Sequence, residues 1–134
     1  MSGGLPMNRI TKEHYNSIVY LSHPYGNDPE NLKKVIQCQK ILTTLHPENL
    51  YLNPVAMFAG LYDVTDYKDG LNMTLFLLDT LADEMLICSE DYMKSKGCVA
   101  EIEYCDRLGI PYKYTTLTEL KQQLNTYNSQ RERG

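Results

Sequence analysis

Four short apolar runs alternate with helix-patterned segments along this chain, and that alternation limits the fold more than any single motif. The first run, Ser17-Ile18-Val19-Tyr20-Leu21-Ser22, is rich in β-forming residues and stops at His23-Pro24-Tyr25-Gly26-Asn27. Asp28-Pro29-Glu30 then reads as a helix start, with a capping residue, a proline at the first helical position and an acid in the first turn. Leu32, Val35, Ile36, Leu42 and Leu45 carry helical spacing on to about His46. Pro47-Glu48-Asn49 is a turn, and Leu50-Tyr51-Leu52 reads as a second strand stopped by Asn53-Pro54. Residues 55–66 fit either a loop or a short helix. From about Tyr67, the residues Leu71, Leu75, Leu78 and Ala82 form a helix stripe, and Glu84-Met85-Leu86-Ile87-Cys88 reads as a strand covered on both faces. Ser95 caps a helix carrying Val99, Ile102, Cys105 and Leu108, which Gly109 ends. Ile110-Pro111-Tyr112-Lys113-Tyr114 is a last strand, placed at a sheet edge by its proline, and Thr118-Glu119 opens a final helix.

Strands alternating with helices predict a doubly wound α/β fold of the Rossmann or flavodoxin-like kind. The sheet is mainly parallel, with four or five strands and helices on both faces. At 134 residues the chain fits one domain. Residues 17–124 form its body, residues 1–16 a partly flexible N-terminal extension, and residues 125–134 a flexible tail. Ligands in such sheets bind beyond the strands' carboxyl ends, near the topological switch point. Three segments meet there: 22–27, 53–63 and 89–97.

Composition excludes several classes of partner. A net charge of −4, with the basic residues scattered, gives no electrostatic grip on DNA or RNA. No apolar run approaches the roughly 18 residues of a membrane helix, and the first residues lack the basic and apolar regions of a signal peptide. The four cysteines, at 38, 88, 98 and 105, lack C-x-x-C spacing, so reduced, mostly buried thiols and a cytoplasmic location are expected. Asp63, Asp66 and Asp69 do not have the spacing of a metal loop; no metal and no cofactor are expected.

Ser95-x-Gly97-x-x-x-Glu101 is the most informative stretch. Gly97 removes a side chain at a helix N-terminus, where unpaired N–H groups and the helix dipole favour an anion; Ser95 can cap that helix or donate to a phosphate. Glu101 lies one turn on, on the face of Cys98 and Cys105, where partial desolvation would raise its pKa and suit an acid, base or nucleophile. A glutamate near a helix start is also an ordinary structural choice. Glu103, by contrast, is spaced to pair with Arg107 on a solvated face. Cys98 beside Lys96 is a candidate for a lowered thiol pKa, without an identifiable histidine partner. In the first loop, Pro24 and Gly26 can simply shape a turn. Alternatively Tyr20, Ser22, His23 and Asn27 face a ligand and Tyr25 stacks on a base, with His23 as hydrogen-bonding residue or general acid. Asn53 either ends the second strand or reaches the same ligand.

Together these segments resemble the nucleoside 2-deoxyribosyltransferase-like superfamily, and within it a group of small phage and bacterial proteins. The likeness covers roughly residues 17–114. It rests on the order of Ile18-Val19-Tyr20-Leu21-Ser22-His23-Pro24-Tyr25-Gly26, Asn53-Pro54, Ala82-Asp83-Glu84, the 95–101 motif and Gly109-Ile110-Pro111. The resemblance implies a site for a nucleoside or nucleotide, with Glu101 as the nucleophile that attacks the anomeric carbon and Tyr20 beside it. It implies a phosphorylated ligand, because the motif's first position is Ser95 rather than aspartate. It also implies a homo-oligomer in which neighbouring subunits complete the site. One departure bears on turnover: the aspartate that active relatives carry eight residues before the third strand's first acid is here Leu75. Two functions follow. One is cleavage or transfer of an N-glycosidic bond. The other is sequestration, without turnover, of a nucleotide signal of cyclic or ADP-ribose-derived type, as a phage anti-defence protein would perform.

Overall fold

The computed structural model describes residues 9–133. The strands are β1 (Ile18–Ser22), β2 (Leu50–Leu52), β3 (Glu84–Ile87) and β4 (Tyr112–Tyr114). They form one four-stranded sheet, all parallel, in the order β2-β1-β3-β4. Five helices connect and flank them: α1 (Pro29–Leu45), α2 (Pro54–Phe58), α3 (Tyr67–Leu81), α4 (Lys96–Leu108) and α5 (Leu117–Arg133). The chain winds outward from β1 to β2, returns through α2 and α3 to β3 on the other side of β1, and winds outward again to β4. This is the doubly wound α/β arrangement, with its switch point between β1 and β3. β4, which Pro111 immediately precedes, lies at an edge.

β1 is buried at every position, so both sheet faces are covered. Its side chains alternate between two clusters, as the two-residue strand period requires. Val19 and Leu21 join Val35, Cys38, Ile41 and Leu42 of α1 and Leu120 of α5. Tyr20 joins Leu77 and Leu78 of α3, Met85 and Ile87 of β3, and Cys105 of α4. All four cysteines are buried and free.

Local chemistry sets the helix ends. The Asp28 and Asp66 carboxylates accept first-turn N–H groups of α1 and α3, at 2.9 and 2.7 Å. Ser95 Oγ accepts from Cys98 N at 3.2 Å, and Gly109 closes α4 at φ 74°, a backbone region that favours glycine. Thr116 caps α5 through Glu119 N, so the helix begins at Leu117, one residue before the start predicted at Thr118.

Three expectations are corrected or narrowed. The segment 125–133 is helical: α5 runs on to Arg133, and the Arg131 guanidinium lies over the Tyr127 ring one turn back. Residues 55–66 resolve into α2, a 3-10 turn at Ala59–Leu61 and a bend. Arg107 stacks over Tyr104, and among the described residues no ion pair joins it to Glu103. Residues 1–8 of the expected N-terminal extension lie outside the described residues; from its remainder, Lys12–His14 form a 3-10 turn. Among the described residues no helix is long and apolar enough to cross a membrane.

Candidate functional site

Tyr20 and Ser22 leave β1 on the same face because they are two residues apart, and both meet Glu101 on α4. The Tyr20 hydroxyl donates to Oε2 of Glu101, and Ser22 Oγ donates to Oε1 at 2.8 Å. Glu101 is only 7% exposed, and both of its carboxylate oxygens are held. Burial pushes its pKa up to about 7, while the two hydroxyl donors pull in the other direction. The Tyr20 phenol is driven up by its own burial and then by the adjacent carboxylate, so it stays a protonated donor. A buried carboxyl group that titrates near neutrality is suited to proton transfer or nucleophilic attack.

The carboxylate opens onto a cavity of about 910 Å³ at the carboxyl ends of β1 and β3, where the sheet topology places a ligand. Ser95 and Gly97 line the cavity at the start of α4. The N–H groups of Lys96 and Gly97 have no partner among the described residues, as the first turn of a helix leaves them. A methyl group at position 97 would meet only Ser95 Oγ, at 3.8 Å, so packing does not require glycine there. Its openness serves the cavity.

The first loop forms the opposite wall. Tyr25 O accepts from Asp28 N at 2.9 Å, across a turn in which Gly26 and Asn27 have φ of 56° and 58°. Two consecutive positive φ values suit glycine and asparagine and few other residues. This turn presents Tyr25, whose ring packs on Tyr62 with centroids 5.5 Å apart. His23 is buried, and its Nδ1 donates to the Pro24 carbonyl at 2.7 Å, leaving Nε2 as an acceptor. Burial lowers its pKa, which favours the neutral imidazole.

Two sequence expectations do not survive in the site. Asn53 is buried away from the cavity: Oδ1 caps α2 through Ala56 N at 3.1 Å, and Nδ2 donates to Gln39 Oε1 at 3.0 Å. Cys98 is no thiolate, because burial raises its pKa to about 11 despite Lys96 nearby in sequence.

Other lining residues carry no local sequence signal. Tyr62 reaches the cavity from the bend before α3, and Gly70 lets its ring lie close, since a methyl there would sit 3.3 Å from Tyr62 Cε1. Thr74 faces the same space from α3, with its hydroxyl on Leu71 O at 2.9 Å. The departure at position 75 is consistent with this. Leu75 packs in the apolar cluster, and Asp79 receives the Tyr104 hydroxyl on the exposed surface at 2.9 Å. α3 therefore lines the cavity with Tyr67, Gly70, Leu71 and Thr74, and the acid beside them is its cap, Asp66. Among the described residues no group of three His, Cys, Asp or Glu side chains is placed to hold a metal ion.

The chain matches no protein-family model, no curated protein and no solved structure.

Proposed function

We propose that this chain binds a nucleotide in the cleft and cleaves or transfers its N-glycosidic bond through Glu101. The observation that carries the reading is a desolvated carboxylate, oriented by Tyr20 and Ser22, on the wall of a cavity that also holds a tyrosine pair and an open helix N-terminus. The helix start at Ser95 and Gly97 suits the 5′-phosphate, and Tyr25 and Tyr62 suit the base. These placements agree with the resemblance to nucleoside 2-deoxyribosyltransferases.

In the reaction, a Glu101 carboxylate oxygen bonds to the anomeric carbon as the carbon–nitrogen bond breaks. The electron pair leaves with the base, which takes up a proton from solvent. Water then attacks the glycosyl ester at the same carbon, frees the sugar phosphate and restores the carboxylate, and its proton passes to solvent. Positive charge grows on the sugar ring as the bond breaks. A carboxylate denied water in the free protein gains most from that charge, which is stabilisation specific to the transition state.

Incubation of the full chain with deoxyadenosine, deoxyguanosine and deoxycytidine 5′-monophosphates, with released base measured by chromatography, tests the proposal. Base release that disappears in Glu101→Gln is the expected result; undiminished release in that variant rejects the assignment.

A second reading is a binder that sequesters a nucleotide signal, of cyclic or ADP-ribose-derived type, without turnover. Leu75, where active relatives carry an acid, favours it. Denaturing the loaded protein and recovering the nucleotide intact would support the binder; recovery of free base would exclude it. Homo-oligomeric assembly belongs to the same proposal, because exposed Val64 and Tyr67 flank the cavity residues Tyr62 and Thr65. Light scattering on the eluting protein measures it directly.

A further inference from the structure

The four long helices that begin at the cleft differ in how their N-termini are closed. α1 and α3 are capped by the carboxylates of Asp28 and Asp66, which place negative charge on the positive end of each helix dipole. α4 and α5 are capped by the neutral hydroxyls of Ser95 and Thr116, both at 3.2 Å. As Tyr67 and Lys68 do behind the Asp66 carboxylate, two N–H groups on each remain without a partner among the described residues: Lys96 and Gly97 on α4, Leu117 and Thr118 on α5. All four of those residues line the same cavity.

The two open ends lie in different layers. α4 packs with α3 on the Glu101 side of the sheet, whereas α5 packs with α1 on the other. On the α1/α5 side the cavity is lined by Lys34 and Lys121, neither of which pairs with a carboxylate among the described residues. His23, only 8% exposed, also lines this space, and its Nε2 has no partner among the described residues. The carboxylates that line the cavity, of Asp66, Glu90, Asp91 and Glu101, come from α3's cap, the loop after β3 and α4; none comes from α1 or α5. Glu119, in the first turn of α5, accepts from Thr115 Oγ1 at 3.2 Å and lies outside the cavity. One lobe thus carries the buried acid, and the other carries two uncompensated cations, an open helix end and a buried hydrogen-bond acceptor.

We propose that the α1/α5 lobe is a second anion subsite, so that the ligand is a nucleotide with two separate phosphate groups, one at α4 and one at α5. The identity of the ligand rests on the nucleotide reading above; the anion site at α5 does not. The volume agrees, since about 910 Å³ is near the upper end of the roughly 300–1,000 Å³ of small-molecule pockets. Lys34 and Lys121 would hold the second phosphate against the Leu117 and Thr118 N–H groups. His23 Nε2 would accept a hydroxyl from the sugar beside it.

Titration of the ¹⁵N-labelled full chain with inorganic phosphate is the test, because it needs no choice of base. Amide shifts are expected at two places, Lys96 with Gly97 and Leu117 with Thr118. The Lys34→Gln/Lys121→Gln protein should lose the second set and keep the first. These lysines are exposed, and an unchanged spectrum elsewhere reports that the variant is folded. The dinucleotide pdApdA should bind the wild-type chain about tenfold tighter than dAMP, and the double variant should erase that difference. No phosphate shift at Leu117 and Thr118, or equal affinities for the two nucleotides, overturns the proposal. Absence of shifts at Lys96 and Gly97 alone counts against the mononucleotide reading and leaves the α5 subsite standing.

Discussion

The two faces of β1 come from one five-residue strand and are put to opposite uses. Val19 and Leu21 enter an apolar cluster with α1 and α5. Tyr20 and Ser22, the alternating residues, meet a buried carboxylate. The first face gains stability from dispersion and exclusion of water. The second gives some of it up, since removing a carboxylate from water is unfavourable unless its partners compensate, and its raised pKa shows that they do not compensate fully. Stability and chemistry are divided between faces, and substitution can test whether the division is real.

The largest expected effect is on turnover. Glu101→Gln keeps the shape and removes the nucleophile, and base release should fall by about a thousandfold or more while dAMP still binds. Loss of binding in a folded variant would show that the carboxylate holds the ligand and does not react with it. Leu42→Ala, in the α1 cluster against the other face and outside the cavity lining, should cost about 3 kcal/mol in urea unfolding and leave nucleotide affinity of the folded protein unchanged. A large loss of affinity there would merge the two faces into one unit.

Tyr20→Phe sharpens the comparison. Deleting one donor moves the Glu101 pKa further above 7, so the acid limb of the pH–rate profile should shift to higher pH. The rate should fall about tenfold at pH 6 and much less at pH 9. A uniform loss at all pH values would make Tyr20 a packing residue. Ser95→Ala is the smallest change, costing about 1 kcal/mol through loss of the α4 cap, and it should weaken dAMP more than deoxyadenosine.

Much of the frame was legible in the sequence because its signals are local. Asp28-Pro29, Ser95 and Gly109 mark helix ends through chemistry within a few residues, and the period of Leu71, Leu75 and Leu78 needs no tertiary partner. Glu101 was legible as one turn beyond an open helix start, although only the fold brings Tyr20 and Ser22 to it across the sheet. The α5 helix beyond 125 was hidden by composition: after Leu124 its only half-buried residue is Tyr127, so no apolar stripe announces it. Asn53 misled because one residue type both caps helices and binds ligands, and burial against Gln39 decides between them. Tyr62, Lys34 and Lys121 were invisible as site residues, since distant segments converge on the cavity only once the sheet is wound.

The pH dependence of stability tests most directly whether Glu101 is kept for function or for the fold. Its pKa of about 7 in the folded chain lies above the ordinary 4.5. Between those values the folded chain holds a proton that the unfolded chain has lost. Its contribution is therefore fully present below pH 4.5 and is lost as pH rises through 7, a difference of about 3 kcal/mol. His23 has the opposite sign, because its pKa is lowered by burial, and it cancels when two proteins that share it are compared. Urea unfolding of the wild-type chain and Glu101→Gln at pH 5 and pH 8 is that measurement. Glu101→Gln is expected to be the more stable protein at pH 8, with the advantage shrinking toward pH 5. A variant less stable than wild type at both pH values would show that the carboxylate supports the fold, and would contradict the account.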